Sequence, residues 1–152
     1  MTASRDYSEV TARILALCEG EDDVISLMAT ISAELYHSFE GFDWVGFYRV
    51  TSPNLLKIGP YQGGHGCLVI PFDKGVCGAA ARTKTPQLVD DVNAFEGHIA
   101  CSSSTLSEIV IPVFDNDENL IGVLDIDSDK PAFFTKDDLR ALNAILIACF
   151  TA

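Results

Sequence analysis

Two apolar runs rich in β-branched residues, Ser107 to Val113 and Leu120 to Ser128, flank the polar segment Asp115-Asn116-Asp117-Glu118-Asn119. Runs of that length on either side of such a turn predict an antiparallel hairpin. Side chains alternate across a strand, so Asp125 and Asp127 share a face, with Cα atoms roughly 7 Å apart. Glu108, near the start of the partner strand, can reach the same space. Three carboxyls on otherwise apolar strands are costly unless they are paired or used.

The rest of the chain supplies elements to flank this hairpin. Tyr7, Val10, Ile14 and Leu17 keep helical spacing and Gly20 follows; Val24, Leu27, Met28, Ile31 and Leu35 keep it again. Asp43 to Val50 and Leu55 to Ile58 read as a second hairpin around Ser52-Pro53-Asn54, with Trp44, Gly46 and Tyr48 on one face. The glycine between two large rings predicts an aromatic slot. Cys67 to Pro71 and Gln87 to Val89 read as short strands, and the small residues of Gly75 to Thr83 as a short helix. Asn93 to Leu106 shows no sustained period and contains Gly97 and three consecutive serines, which marks a long loop of the kind that usually carries function. Thr135 with Asp138 resembles a capping box that opens a last, apolar-striped helix. Helices at both ends of a mostly antiparallel sheet make an α+β pattern, and 152 residues with no linker or internal repeat predict a single domain over 1–152.

Charge narrows the partners. A formal net charge of −12 offers no basic footprint for nucleic acid or an anionic membrane surface. The opening residues Met1 to Val10 are polar, and no stretch approaches the roughly 20 apolar residues of a membrane span. A soluble, cytoplasmic protein is the expectation. Five cysteines is an odd number in a chain that needs no disulfide to hold its core. Cys18 and Cys149 fall on helical stripes and read as buried packing residues, whereas Cys67, Cys77 and Cys101 fall at element edges or in the long loop, where a thiol is reachable.

Crowded, partly buried carboxyls raise one another's pKa, so one of Glu108, Asp125 and Asp127 stays protonated near neutrality. A protonated carboxyl beside a thiol suits sulfoxide reduction: sulfur attacks sulfur while the oxygen takes up a proton. Cys101 would become a sulfenic acid, and a second thiol, Cys67 or Cys77, would condense with it to a disulfide for an external dithiol to reduce. Against this stand plainer readings. Trp44 and Tyr48 suit a core, the aspartates suit strand-end turns, and Gly63-Gly64-His65-Gly66 reads as a flexible turn. His65, Cys67, Cys77, His98 and Cys101 are zinc-type residues without zinc-type spacing, so no metal is expected.

The segments Asp-Trp-Val-Gly-Phe-Tyr at 43–48, Gly-Pro-Tyr-Gln-Gly at 59–63, Gly-Val-Cys-Gly at 75–78, Gly-His-Ile-Ala-Cys at 97–101, Ser-Glu-Ile-Val at 107–110 and Gly-Val-Leu-Asp-Ile-Asp-Ser at 122–128 resemble those of the free methionine-(R)-sulfoxide reductases, a branch of the GAF domains. The resemblance implies a six-stranded antiparallel GAF sheet flanked by N- and C-terminal helices, a homodimer, and reduction of the R epimer of free methionine sulfoxide. It implies no bound cofactor, with reducing equivalents from a thioredoxin-like protein served by NADPH through its reductase. By position, Cys101 matches the family nucleophile, Cys67 the principal resolving cysteine and Cys77 an auxiliary one. Trp44 and Tyr48 match the aromatic pair at the substrate methyl end, and Glu108, Asp125 and Asp127 match the acids that polarise and protonate the oxygen. Ser102 departs from the acidic residue that commonly follows the nucleophile, and Cys18 and Cys149 lie outside the family trio. A non-catalytic GAF sensor of a small ligand, or a structural zinc protein, are the competing readings.

Overall fold

The computed structural model describes residues 4–151; the first three residues of the polar N-terminal stretch, and Ala152, lie outside it. Six strands form one antiparallel sheet in the order β3-β2-β1-β6-β5-β4. They are β1 (Trp44–Ser52), β2 (Leu55–Gln62), β3 (Val69–Pro71), β4 (Gln87–Val89), β5 (Ser107–Phe114) and β6 (Leu120–Ser128). The helices are α1 (Ser8–Leu17), α2 (Val24–Ser38), α3 (Gly75–Thr83) and α4 (Lys136–Phe150). Strand β2 runs past the expected Ile58 because Gly59-Pro60 is absorbed by a register shift between the Gly46–Tyr61 and Tyr48–Ile58 pairs.

Strand alternation sorts the residues onto two faces. Val45, Phe47, Ile109, Ile111, Leu124 and Ile126 point to one, where they form the main core with Ile14, Met28, Ile31, Leu35, Leu142 and Ile145 of α1, α2 and α4. Each such side chain, taken fully out of water, contributes roughly 1.5–3 kcal/mol. Both terminal helical regions therefore cover the same face. The opposite face carries Trp44, Tyr48, Val110 and Val123 and is covered by α3 and the segment from 90 to 106.

The first turn of α4 is a complete capping box: Thr135 Oγ1 accepts from the Asp138 amide at 3.4 Å, and Asp138 Oδ2 accepts from the Thr135 amide at 2.8 Å. Asp138 is also 1% exposed and holds the N-terminal segment, accepting from Arg5 Nη1 at 2.7 Å and from Tyr7 Oη at 2.6 Å. The Arg5 guanidinium lies 3.7 Å from the Phe133 ring centroid, which completes its surroundings. Leu17, expected on the buried stripe of α1, is instead exposed, at the last residue of the helix. Cys18 and Cys149 are half-buried rather than buried. Among the described residues no helix is long and apolar enough to cross a membrane.

Candidate active site

The β1–β6–β5 register builds the floor of a pocket. Asp127 lies opposite Trp44 on one side and Glu108 on the other; Asp125 lies opposite Gly46 and Val110. Directly opposed side chains in an antiparallel pair have Cβ atoms about 5 Å apart, and like charges in that position repel. Glu108 and Asp125 are 7% and 4% exposed, so water does little to relieve the repulsion. Burial, followed by the neighbouring carboxyls, holds all three acids well above the ordinary carboxyl range. Carboxyl oxygens of Glu108 and Asp125 lie within 4.8 Å of each other and of the Cys77 sulfur. Asp125 Oδ1 and Asp127 Oδ1 are buried with no partner among the described residues. A floor of proton-bearing acids with unused oxygens is prepared for a polar ligand atom.

The aromatic wall differs in one respect from expectation. The gap over Gly46 is not an open slot, because the Trp44 indole folds into it: a Cβ on Gly46 would lie 2.6 Å from Trp44 Cη2 and would collide with Tyr61 Cβ. Trp44 stacks on Tyr48 at 5.8 Å and 22°, and Tyr61 stacks on Trp44 at 5.3 Å and 17°. No local pattern in the sequence marks Tyr61, since the register that sets it opposite Gly46 is a cross-strand property. The turn Gly63-Gly64-His65-Gly66 is put to use as well. The Gly64 carbonyl accepts from the indole Nε1 at 2.9 Å, and Gly66 passes so close that a Cβ would lie 3.0 Å from both Trp44 Cζ2 and Tyr48 Oη. Burial and then Asp125 push the Tyr48 hydroxyl far up, so it remains a neutral phenol.

The thiols close the pocket. Cys67, just before β3, and Cys101, in the long loop, form a disulfide with Cα atoms 5.3 Å apart. The loop is held there by the Gly75 amide, which donates to the Gly97 carbonyl at 3.0 Å, and by the Leu106 amide, which donates to the Ser128 carbonyl at 2.8 Å. Cys77 is a correction: it is 4% exposed instead of reachable, because the small residues that follow it let α3 sit tightly on the sheet. Gly78 shows how tight, with a Cβ there placed 2.8 Å from the Pro71 and Phe72 carbonyl oxygens. Cys77 Sγ lies 4.0 Å from Glu108 Oε2, and burial, reinforced by Asp125 and Glu108, drives its pKa well up. It is a thiol, not a thiolate, and a poor first nucleophile.

All eight residues singled out from the sequence, Trp44, Tyr48, Cys67, Cys77, Cys101, Glu108, Asp125 and Asp127, therefore converge on one cavity, seven by lining it and Cys67 through its bond to Cys101. With the Cys67–Cys101 bond formed the cavity is small, about 40 Å³. His65, His98, Ser102 and Thr105 line it too. In the sequence the two histidines stand out only as zinc-type residues, and what places them at the mouth is loop geometry that no local pattern encodes. The described residues that could hold a metal ion are Cys77, Glu108 and Asp125, whose ligand atoms lie within 4.8 Å of one another. That set shares one member with the histidine and cysteine group considered from the sequence.

The chain matches the GAF domain family over residues 18–146. It is 37% identical over 146 residues to the free methionine-R-sulfoxide reductase of Escherichia coli K12, covering 96% of this chain and 87% of that one. The chain belongs to the free methionine-R-sulfoxide reductases. Solved structures of this reductase family agree with the fold. The Staphylococcus aureus enzyme in its reduced form superposes with a TM-score of 0.90 at 39% identity, over 99% of this chain and 97% of that one. The Neisseria meningitidis enzyme, solved in complex with its substrate, gives 0.89 at 39% identity, over 98% and 91%. A six-stranded GAF sheet with its helices is thus the architecture of the reductase described above.

Proposed function

We propose that this reductase turns over free L-methionine-(R)-sulfoxide with Cys101 as nucleophile, the acids on β5 and β6 as the proton source and Cys67 as the resolving thiol. The observation that carries this reading is the Cys67–Cys101 disulfide lying over a floor of carboxyls that burial keeps protonated. The Cys101 sulfur attacks the sulfoxide sulfur and a carboxyl of the Glu108, Asp125 and Asp127 group protonates the oxygen; the hydroxyl then passes to the Cys101 sulfur as the bonds from the substrate sulfur to oxygen and to Cys101 break, so that methionine leaves and Cys101 is a sulfenic acid. Cys67 then attacks the Cys101 sulfur, the S–O bond breaks, and water departs. The resulting disulfide is reduced by exchange with a dithiol, for which a thioredoxin-like protein drawing on NADPH through its reductase is the proposed donor.

Trp44 and Tyr48 supply the apolar wall for the methyl end of the substrate, and the unpartnered Asp125 Oδ1 and Asp127 Oδ1 face the sulfoxide group. Neutral acids avoid the charge that would oppose a thiolate at Cys101, which eases the conflict between a proton donor and a nucleophile in one pocket. The proposal includes a cytoplasmic homodimer, supported by the family resemblance; sedimentation at micromolar concentration tests the dimer. The deciding experiment follows NADPH loss through thioredoxin and its reductase with free methionine-(R)-sulfoxide, the free S epimer and an R-sulfoxide peptide. Consumption of the free R epimer alone is expected. Failure to consume any of the three, even with dithiothreitol as donor, replaces the enzyme with a small-ligand sensor.

A further inference from the structure

Helices α1 and α4 pack against each other. Their beginnings are joined where Tyr7 donates to Asp138, and eleven residues on from each partner stand Cys18 and Cys149. Eleven residues is three helical turns, so in helices that run the same way both cysteines return to the faces that Tyr7 and Asp138 occupy. The structure agrees: both cysteines are half-buried and both pack against the main core between these helices and the sheet. Cys18 is the C-cap of α1 and Cys149 lies in the last turn of α4. The sheet separates them from the cavity, which opens on its other face.

We propose that Cys18 and Cys149 are a second, non-catalytic dithiol that hydrogen peroxide converts to a disulfide, stapling the ends of α1 and α4. The Cys18 sulfur attacks one peroxide oxygen, the O–O bond breaks and water leaves, making Cys18 a sulfenic acid. The Cys149 sulfur then attacks Cys18, the S–O bond breaks and a second water leaves. Two thiols have given two electrons to one peroxide. Cys18 is the attacking sulfur because its pKa is raised less than that of Cys149. Burial still raises both, Cys149 to about 11, so the reaction is slow near neutrality and suits a staple more than a catalyst. A link between positions 131 residues apart closes nearly the whole chain, the case in which a cross-link restricts the unfolded state most.

The test oxidises the reduced protein with hydrogen peroxide, alkylates what remains, and maps the tryptic peptides. Residues 14–49 joined to residues 141–152 within one chain, with Cys77 as the alkylated thiol, are expected. Oxidised wild type should melt roughly 5–15 °C above oxidised C18A/C149A, the span a disulfide of ordinary strength gives in a domain of this size. The double variant should reduce substrate at the wild-type rate, since both positions lie behind the sheet. Alkylation of Cys18 and Cys149 after the Cys67–Cys101 bond has formed, linkage between two chains, or equal melting of the two oxidised proteins overturns the proposal.

Discussion

Gly46→Ala adds one methyl group at the place where β1, the Trp44 indole and Tyr61 meet. Its Cβ would lie 2.6 and 2.8 Å from two indole carbons and would collide with Tyr61 Cβ. An indole alone could tilt, but Tyr61 Cβ is fixed to the backbone of β2, so the strand itself must shift. Gly46 has no left-handed φ, so alanine is not penalised by its backbone and the cost is overpacking, about 1–3 kcal/mol. In a domain of this size that is a fall in melting temperature of roughly 2–12 °C. The displaced indole also withdraws the apolar wall, so KM for free methionine-(R)-sulfoxide should rise with a smaller effect on kcat. Gly64→Ala is the control: no atom lies within 4 Å of its Cβ, and the carbonyl that receives the indole is kept. Thermal unfolding by circular dichroism and steady-state kinetics on both variants give the answer. A Gly46→Ala protein that melts and binds like wild type, or a Gly64→Ala protein equally damaged, would refute the packing argument.

Cys101→Ser should release no methionine, while Cys67→Ser should release one equivalent per chain in a burst and then recycle poorly with thioredoxin; quench-flow separates the two. Glu108→Gln should lower kcat by roughly 10²–10⁴ if the carboxyl supplies the proton, read from single-turnover rates. It should also change how stability depends on pH. An acid held protonated in the fold but ionised in the unfolded chain takes up a proton on folding, so it costs nothing below about pH 4 and costs progressively more as pH rises toward its raised folded value. The melting temperature of Glu108→Gln relative to wild type should therefore climb from pH 4 to neutrality. Tyr7→Phe leaves buried Asp138 Oδ1 without its donor and should cost about 1.5–3 kcal/mol, measured by urea unfolding.

Features carried by local pattern are legible in the sequence. The β5–β6 hairpin, the α4 capping box and the common face of Asp125 and Asp127 depend on alternation and on residues three apart, and each stands where expected. Features set by long-range packing are not. Nothing local to Gly75–Thr83 says that its small residues bury Cys77 beside Glu108. The indole filling the space over Gly46 needs the β1–β2 register, and the meeting of Cys18 with Cys149 needs two helices from opposite ends of the chain. The spacing of Thr135 and Asp138 marks the cap, but the hold of Asp138 on Arg5 and Tyr7 depends on where the N-terminal segment returns.

The central seam of the sheet joins β1 to β6, strands some 80 residues apart in the chain, and the pocket straddles it. Trp44 and Tyr48 come from one side of the seam, the acids from the other. The aromatic wall and the acid floor meet only once that seam has formed. Ligand affinity is therefore coupled to unfolding of the whole domain: added substrate should raise the melting temperature of a Cys101→Ser protein in proportion to the logarithm of its concentration. Bound methionine sulfoxide would act as a clasp across the closing contact of the fold, much as a peg holds two boards that meet only when the box is complete.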